Sequence, residues 1–84
     1  MEQSLKYVRE VLAGHIDREE VGRNIYLKIT KNQYKTERDF VMDLSEGEAR
    51  YLDQVLKEAI DYSKQSQDYE RAEQLSDVYQ ILFV

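Results

Sequence analysis

The stretch "EAIDYSKQSQDYERAEQL", Glu58–Leu75, contains neither Gly nor Pro, so no breaker residue forbids one helix running through it. The apolar pattern on either side argues against such a rod. On an ideal helix counted from Ser45, Leu52, Val55, Leu56 and Ala59 centre near about 150°, whereas Ala72, Leu75, Val78, Tyr79 and Leu82 centre near about 300°. A continuous helix would point these two faces in nearly opposite directions. A reversal at "SKQSQD", Ser63–Asp68, turns both towards one core, with Asp68 capping the returning helix and Glu70 in its first turn. The spacing therefore predicts two antiparallel helices, at about 46–64 and 69–82, joined by a short polar turn.

Upstream, helix start signals recur. Ser45 with Glu48 forms the hydroxyl-and-carboxylate pattern of a capping box, Thr36 with Asp39 offers a similar start, and Asp17 with Glu20 a third. Leu5, Val8, Leu12, His15 and Ile16 share one helical face, which predicts a first helix over about 3–15 and a second beginning near Arg18. In "VGRNIYLKIT", Val21–Thr30, Ile25, Leu27 and Ile29 alternate as in a strand, while Val21, Ile25, Lys28, Ile29 and Asn32 share a helical face. Helix is preferred, because a lone strand would leave its backbone groups unpaired and no other segment reads as its partner. This helix fades at "KNQYK", and a short helix follows whose Phe40, Val41 and Leu44 turn inward. The expected fold is all-α: one domain, 1–84, built as a small bundle of three main helices plus one short helix and ending in an antiparallel αα-hairpin.

Composition narrows the function classes. The 84 residues include no Cys, which removes disulfides, thiolate metal sites and thiol nucleophiles, and they hold one His and three Gly. No phosphate-cradling Gly loop, serine elbow or metalloprotease helix can be found, so no enzyme, metal or cofactor is expected. His15, on an apolar stripe with no second His, reads as a packed residue. The carboxylates Glu70, Glu73 and Asp77 form a ridge on the last helix that reads as a solvated face. The N-terminal "MEQSLKYVREVLAGHI" lacks the apolar run of a signal peptide, and no stretch approaches the roughly 18 residues of a membrane span. A soluble, cytoplasmic chain is the expectation.

The net charge of −5 is unevenly placed: residues 1–38 carry +2 and residues 39–84 carry −7. Within "RNIYLKITKNQYKTER", Arg23–Arg38, five cations (Arg23, Lys28, Lys31, Lys35 and Arg38) stand against the single acid Glu37. Interleaved with Tyr26 and Tyr34, they offer an alternative reading as a weak nucleic-acid binder. The favoured use is electrostatic: the basic segment complements the acidic second half, within one molecule or between subunits. Seven tyrosines suit the edge of a small core or an interface. Tyr26, Leu27, Ile81 and Phe83 are the candidate interface residues, Leu27 and Ile81 because they fall off the main stripes of their helices.

The long segment "FVMDLSEGEARYLDQVLKEAIDYSKQSQDYERAEQLSDVYQIL", Phe40–Leu82, together with "LKYVREVLAGHI", Leu5–Ile16, and "ERDFVMDL", Glu37–Leu44, resembles a family of small Bacillus-type sporulation proteins, sigma-G-dependent, CsgA-like and labelled SASP. The resemblance spans nearly the whole chain. It implies expression in the forespore and an intracellular home, and it brings no catalytic residue with it. The acidic second half shows none of the Gly-containing DNA-coating signatures of the major spore DNA binders. The expected role is thus a non-enzymatic protein–protein interaction module of sporulation, meeting a protein partner or another copy of itself.

Overall fold

The computed structural model describes residues 2–83, which form five helices and no strand. Helix α1 (Gln3–Ala13) buries Ser4, Leu5, Val8 and Leu12 on one face. It closes with short-range bonds from the Gly14 and His15 amides to the Val11 and Leu12 carbonyls, at 3.2 and 2.8 Å. His15 thus lies just beyond the helix that was expected to include it.

The Asp17/Glu20 capping box does not form. After α1 the chain makes a run of turns in which the Arg18 and Glu19 amides bond back to the His15 carbonyl. Glu19 is then extended, and α2 (Glu20–Lys31) begins after it without a side-chain cap. Asp17 is left two residues short of the cap position, Glu19, from which a side-chain oxygen could reach the amide of the third helical residue, Gly22. Within α2 the buried residues are Gly22, Ile25 and Ile29, a helical period, so Leu27 faces outward and the strand-like alternation was coincidental. Asn32 ends α2: both its amide and its side-chain Nδ2 donate to the Lys28 carbonyl, at 3.0 and 3.1 Å.

Helix α3 (Glu37–Met42) starts where Thr36 Oγ1 accepts from the Asp39 amide at 3.1 Å, and it buries Phe40 completely. Helix α4 (Glu46–Gln65) carries the full capping box, with Ser45 Oγ accepting from Glu48 N and Glu48 Oε1 accepting from Ser45 N. The rod then breaks. Gln67 adopts a left-handed φ of 61°, the Asp68 amide donates to the Ser63 carbonyl at 2.8 Å, and the Gln67 amide donates to the Lys64 carbonyl at 3.0 Å. This crossed pair of bonds is the Schellman helix stop, here made without glycine. Asp68 Oδ1 accepts from the Arg71 amide and opens α5 (Tyr69–Ile81).

The bundle therefore has four longer helices and one short one, where a bundle of three main helices and one short helix was expected; the first helix, the second helix and both arms of the hairpin, each read separately along the chain, all form as long helices. A single helix from Glu46 to Phe83 would be about 57 Å long at 1.5 Å per residue. The longest dimension of the molecule is 30 Å. Helix α5 instead packs most extensively on α4 and next on α1, while α2 covers α1 and α4, and α3 rests on α5. Leu52, Leu56 and Ile60 of one stripe join Ala72, Leu75, Val78 and Leu82 of the other in one core, with Leu5, Val8, Leu12, Ile25, Ile29 and Phe40.

Candidate functional site

Polar ties outside the core decide which charges remain free. Lys28 Nζ lies 2.7 Å from Glu48 Oε1 and also donates to the Asp43 carbonyl at 2.8 Å. Glu48 is only 14% exposed at its side chain. Burial alone would raise its pKa, but the Lys28 ammonium and the Ser45 amide and hydroxyl outweigh that and hold the carboxyl below its ordinary value. Tyr34 is pinned in the same region: its hydroxyl donates to Asp43 Oδ2 at 2.6 Å, accepts from Asn32, and its ring meets Phe40 edge-on. Burial and the Asp43 carboxylate push the Tyr34 phenol up to about 12. On the other side of the bundle, the Arg71 guanidinium sits over the Tyr7 ring and 3.6 Å from Glu10, tying α5 to α1. Ser4 donates to the Glu37 carboxylate, which ties α1 to α3.

These ties split the basic segment. Lys28 is committed to Glu48 and Tyr34 to Asp43. Arg23, Lys31, Lys35 and Arg38 are exposed, and among the described residues none makes an ion pair. Two of them line different grooves: Lys31 borders an open groove with Asn24, Leu27 and Glu48, whereas Arg38 borders another beside α5. The acids Glu70, Glu73 and Asp77 are exposed and unpaired among the described residues.

The candidate interface residues divide in the same way. Tyr26 is half-buried and packs against the core. Leu27 is 40% exposed on α2. Ile81 lines a groove of about 290 Å³ at the α3–α5 end, with Arg38, Val41, Met42 and Leu82. Phe83, 59% exposed, follows directly after that groove's floor residue Leu82. The most exposed apolar side chain in this groove is Met42, at 75%, a residue that reading the sequence did not single out. Its signal was present: two residues from buried Phe40 on a helix, a side chain points to the opposite side.

A third groove, about 270 Å³, is lined by His15, Arg18, Glu19, Tyr51, Gln54 and neighbouring residues. His15 meets the Tyr51 ring edge-on, with centroids 6.4 Å apart. The Tyr51 hydroxyl is buried with no hydrogen-bond partner, packed against α2 where Gly22 leaves room; a Cβ at Gly22 would stand 2.7 Å from that oxygen. Burial, aided by the Glu19 carboxylate, raises the Tyr51 pKa. His15 thus has the Tyr51 ring as its aromatic neighbour. Among the described residues no three His, Asp or Glu side chains gather as a metal-binding cluster.

Comparison with known proteins places this helical chain among relatives. A family model described as "CsgA: Minor curli fiber component A" matches residues 1–83. A curated protein of Bacillus subtilis (strain 168), named "Sigma-G-dependent sporulation-specific SASP protein", is 38% identical over 82 residues, covering 98% of this chain and 99% of that protein. No solved structure matches. With a family model over residues 1–83 and a relative at this identity over nearly the whole of both chains, the chain belongs to the CsgA family, together with this sigma-G-dependent sporulation-specific protein.

Proposed function

We propose that the chain is a non-enzymatic helical interaction protein of sporulation, present in the forespore cytoplasm, and that it works through the apolar surface where α3 meets the end of α5. The role in sporulation is supported by the name of the Bacillus subtilis relative. The observation that carries the surface is the exposure of Met42 and Phe83 beside the groove lined by Val41 and Ile81. Large apolar side chains left this open at one end of a small domain lose water contact when a partner covers them, and that is the main driving force of helix-mediated docking. The nucleic-acid reading has less support, since Lys28 and Tyr34 are tied within the molecule and Arg38 and Lys31 face different grooves. A cross-β fibre is built from extended strands, whereas the described residues form helices, so the fold lends no support to a fibre role.

The absence of native cysteine makes a clean test available. Met42→Cys, charged with a thiol-directed photocross-linker in sporulating cells, should give a discrete protein adduct. The same substitution at Glu73, on the exposed acidic ridge, should give none. Equal labelling at both positions, or no adduct at Met42→Cys, would remove the α3–α5 end as the working surface.

A further inference from the structure

We infer that the partner at the α3–α5 end is a second copy of this chain, paired about a two-fold axis with Arg38 of each copy against Asp77 of the other. This rests on the α3–α5 end being the working surface and names its occupant. Arg38, Met42 and Ile81 line the groove, and Asp77 stands outside it, one turn before Ile81. On α3, Arg38 and Met42 are one turn apart; on α5, Asp77 and Ile81 are one turn apart. Each pair forms a short ridge that offers a charge followed by an apolar side chain at the same spacing, and the charges are opposite. Arg38 and Asp77 are both exposed, and neither makes an ion pair within the described residues. Laying the α3 ridge of one copy on the α5 ridge of another matches Arg38 with Asp77 and Met42 with Ile81. A two-fold axis repeats both matches, which is the self-complementarity that an isologous contact requires. An unrelated partner would need to supply only one half of this pattern, so the presence of both halves on one chain favours the homodimer. The wider charge division, +2 in residues 1–38 against −7 in residues 39–84, acts in the same sense.

Charge reversal tests the pairing directly. Arg38→Asp introduces an acid in the first turn of α3, and Asp77→Arg introduces a cation in the last turns of α5; both suit the helix dipoles, so both variants should fold, as circular dichroism will check. By sedimentation, wild-type protein should rise with concentration from its 10.0 kDa chain mass towards twice that value. Each variant alone should stay at the single-chain mass, because both contacts of the pair become like-charged. An equimolar mixture of the two should recover the doubled mass, since both contacts in the mixed pair are again opposite. Wild-type protein that stays at the single-chain mass at every concentration, or a mixture no heavier than its components, overturns the homodimer. A Met42→Cys adduct with a different protein would then still support the working surface, so the two proposals fail separately.

Discussion

At the scale of single residues, Glu48 joins two functions that are usually separate. One carboxylate oxygen accepts from the Ser45 amide and also from Lys28 twenty residues upstream, so the start of α4 is tied to the end of α2 through one atom. Glu48→Gln keeps a side-chain acceptor for the capping box and removes the charge that Lys28 faces. The expected loss is about 1 kcal/mol at neutral pH, because the pair is partly shielded from water but not deeply buried. Its pH dependence follows from the lowered pKa. A carboxyl whose folded pKa is depressed contributes stability above its unfolded value and loses that contribution as pH falls through the folded value. The gap between wild type and Glu48→Gln in urea unfolding should therefore be full at pH 7 and close progressively below the ordinary carboxylate pKa. A gap that stayed constant down to pH 3 would mean that the ion pair adds nothing. Contacts of this kind were invisible in the sequence: Lys28 read as one cation in a basic run, and only the packing of α2 on α4 brings Glu48 to it.

At the scale of elements, what could be read in advance was local. The caps at Thr36, Ser45 and Asp68 depend on side chains reaching amides three residues away, and all three form where their spacing placed them. Asp17 with Glu20 has the same spacing and failed, because the turns following α1 already occupy the backbone there and delay the helix to Glu20. The break after Gln65 was legible only through the phase of the apolar stripes, since the residue that makes the turn, Gln67, carries no signal for it. An L-residue with a side chain in the left-handed region costs about 1–2 kcal/mol relative to the right-handed form, a penalty that glycine avoids. Gln67→Gly should thus stabilise the protein by about 0.5–1 kcal/mol, after allowing for the larger chain entropy glycine gives the unfolded state. Thermal unfolding should show a Tm a few degrees higher. A lowered Tm would indicate that the Gln67 side chain contributes something that its exposed position does not suggest.

Across the whole molecule, the question is whether α3, six residues long, belongs to the fold or merely decorates it. The core answers through Phe40, which is fully buried in the same cluster as residues of the other four helices and is the largest side chain so enclosed. Its place was readable, since Phe40, Val41 and Leu44 were expected to turn inward; that it bridges to the Tyr34 ring, itself held by Asp43, was not, because that contact depends on the loop between α2 and α3 folding back. A domain of this size is stable by about 4–13 kcal/mol, and emptying a buried Phe site costs about 3–5 kcal/mol. Phe40→Ala should therefore remove a large part of the total stability and do so for every helix at once. Urea unfolding followed by far-ultraviolet circular dichroism and by tyrosine fluorescence should show one transition, with coincident curves shifted to much lower denaturant. If α3 were an appendage, the variant would lose a little helix signal and then melt like the wild type. The groove at Met42 and Ile81 depends on the answer, because its two walls keep their spacing only if α3 is held to α5 by the shared core.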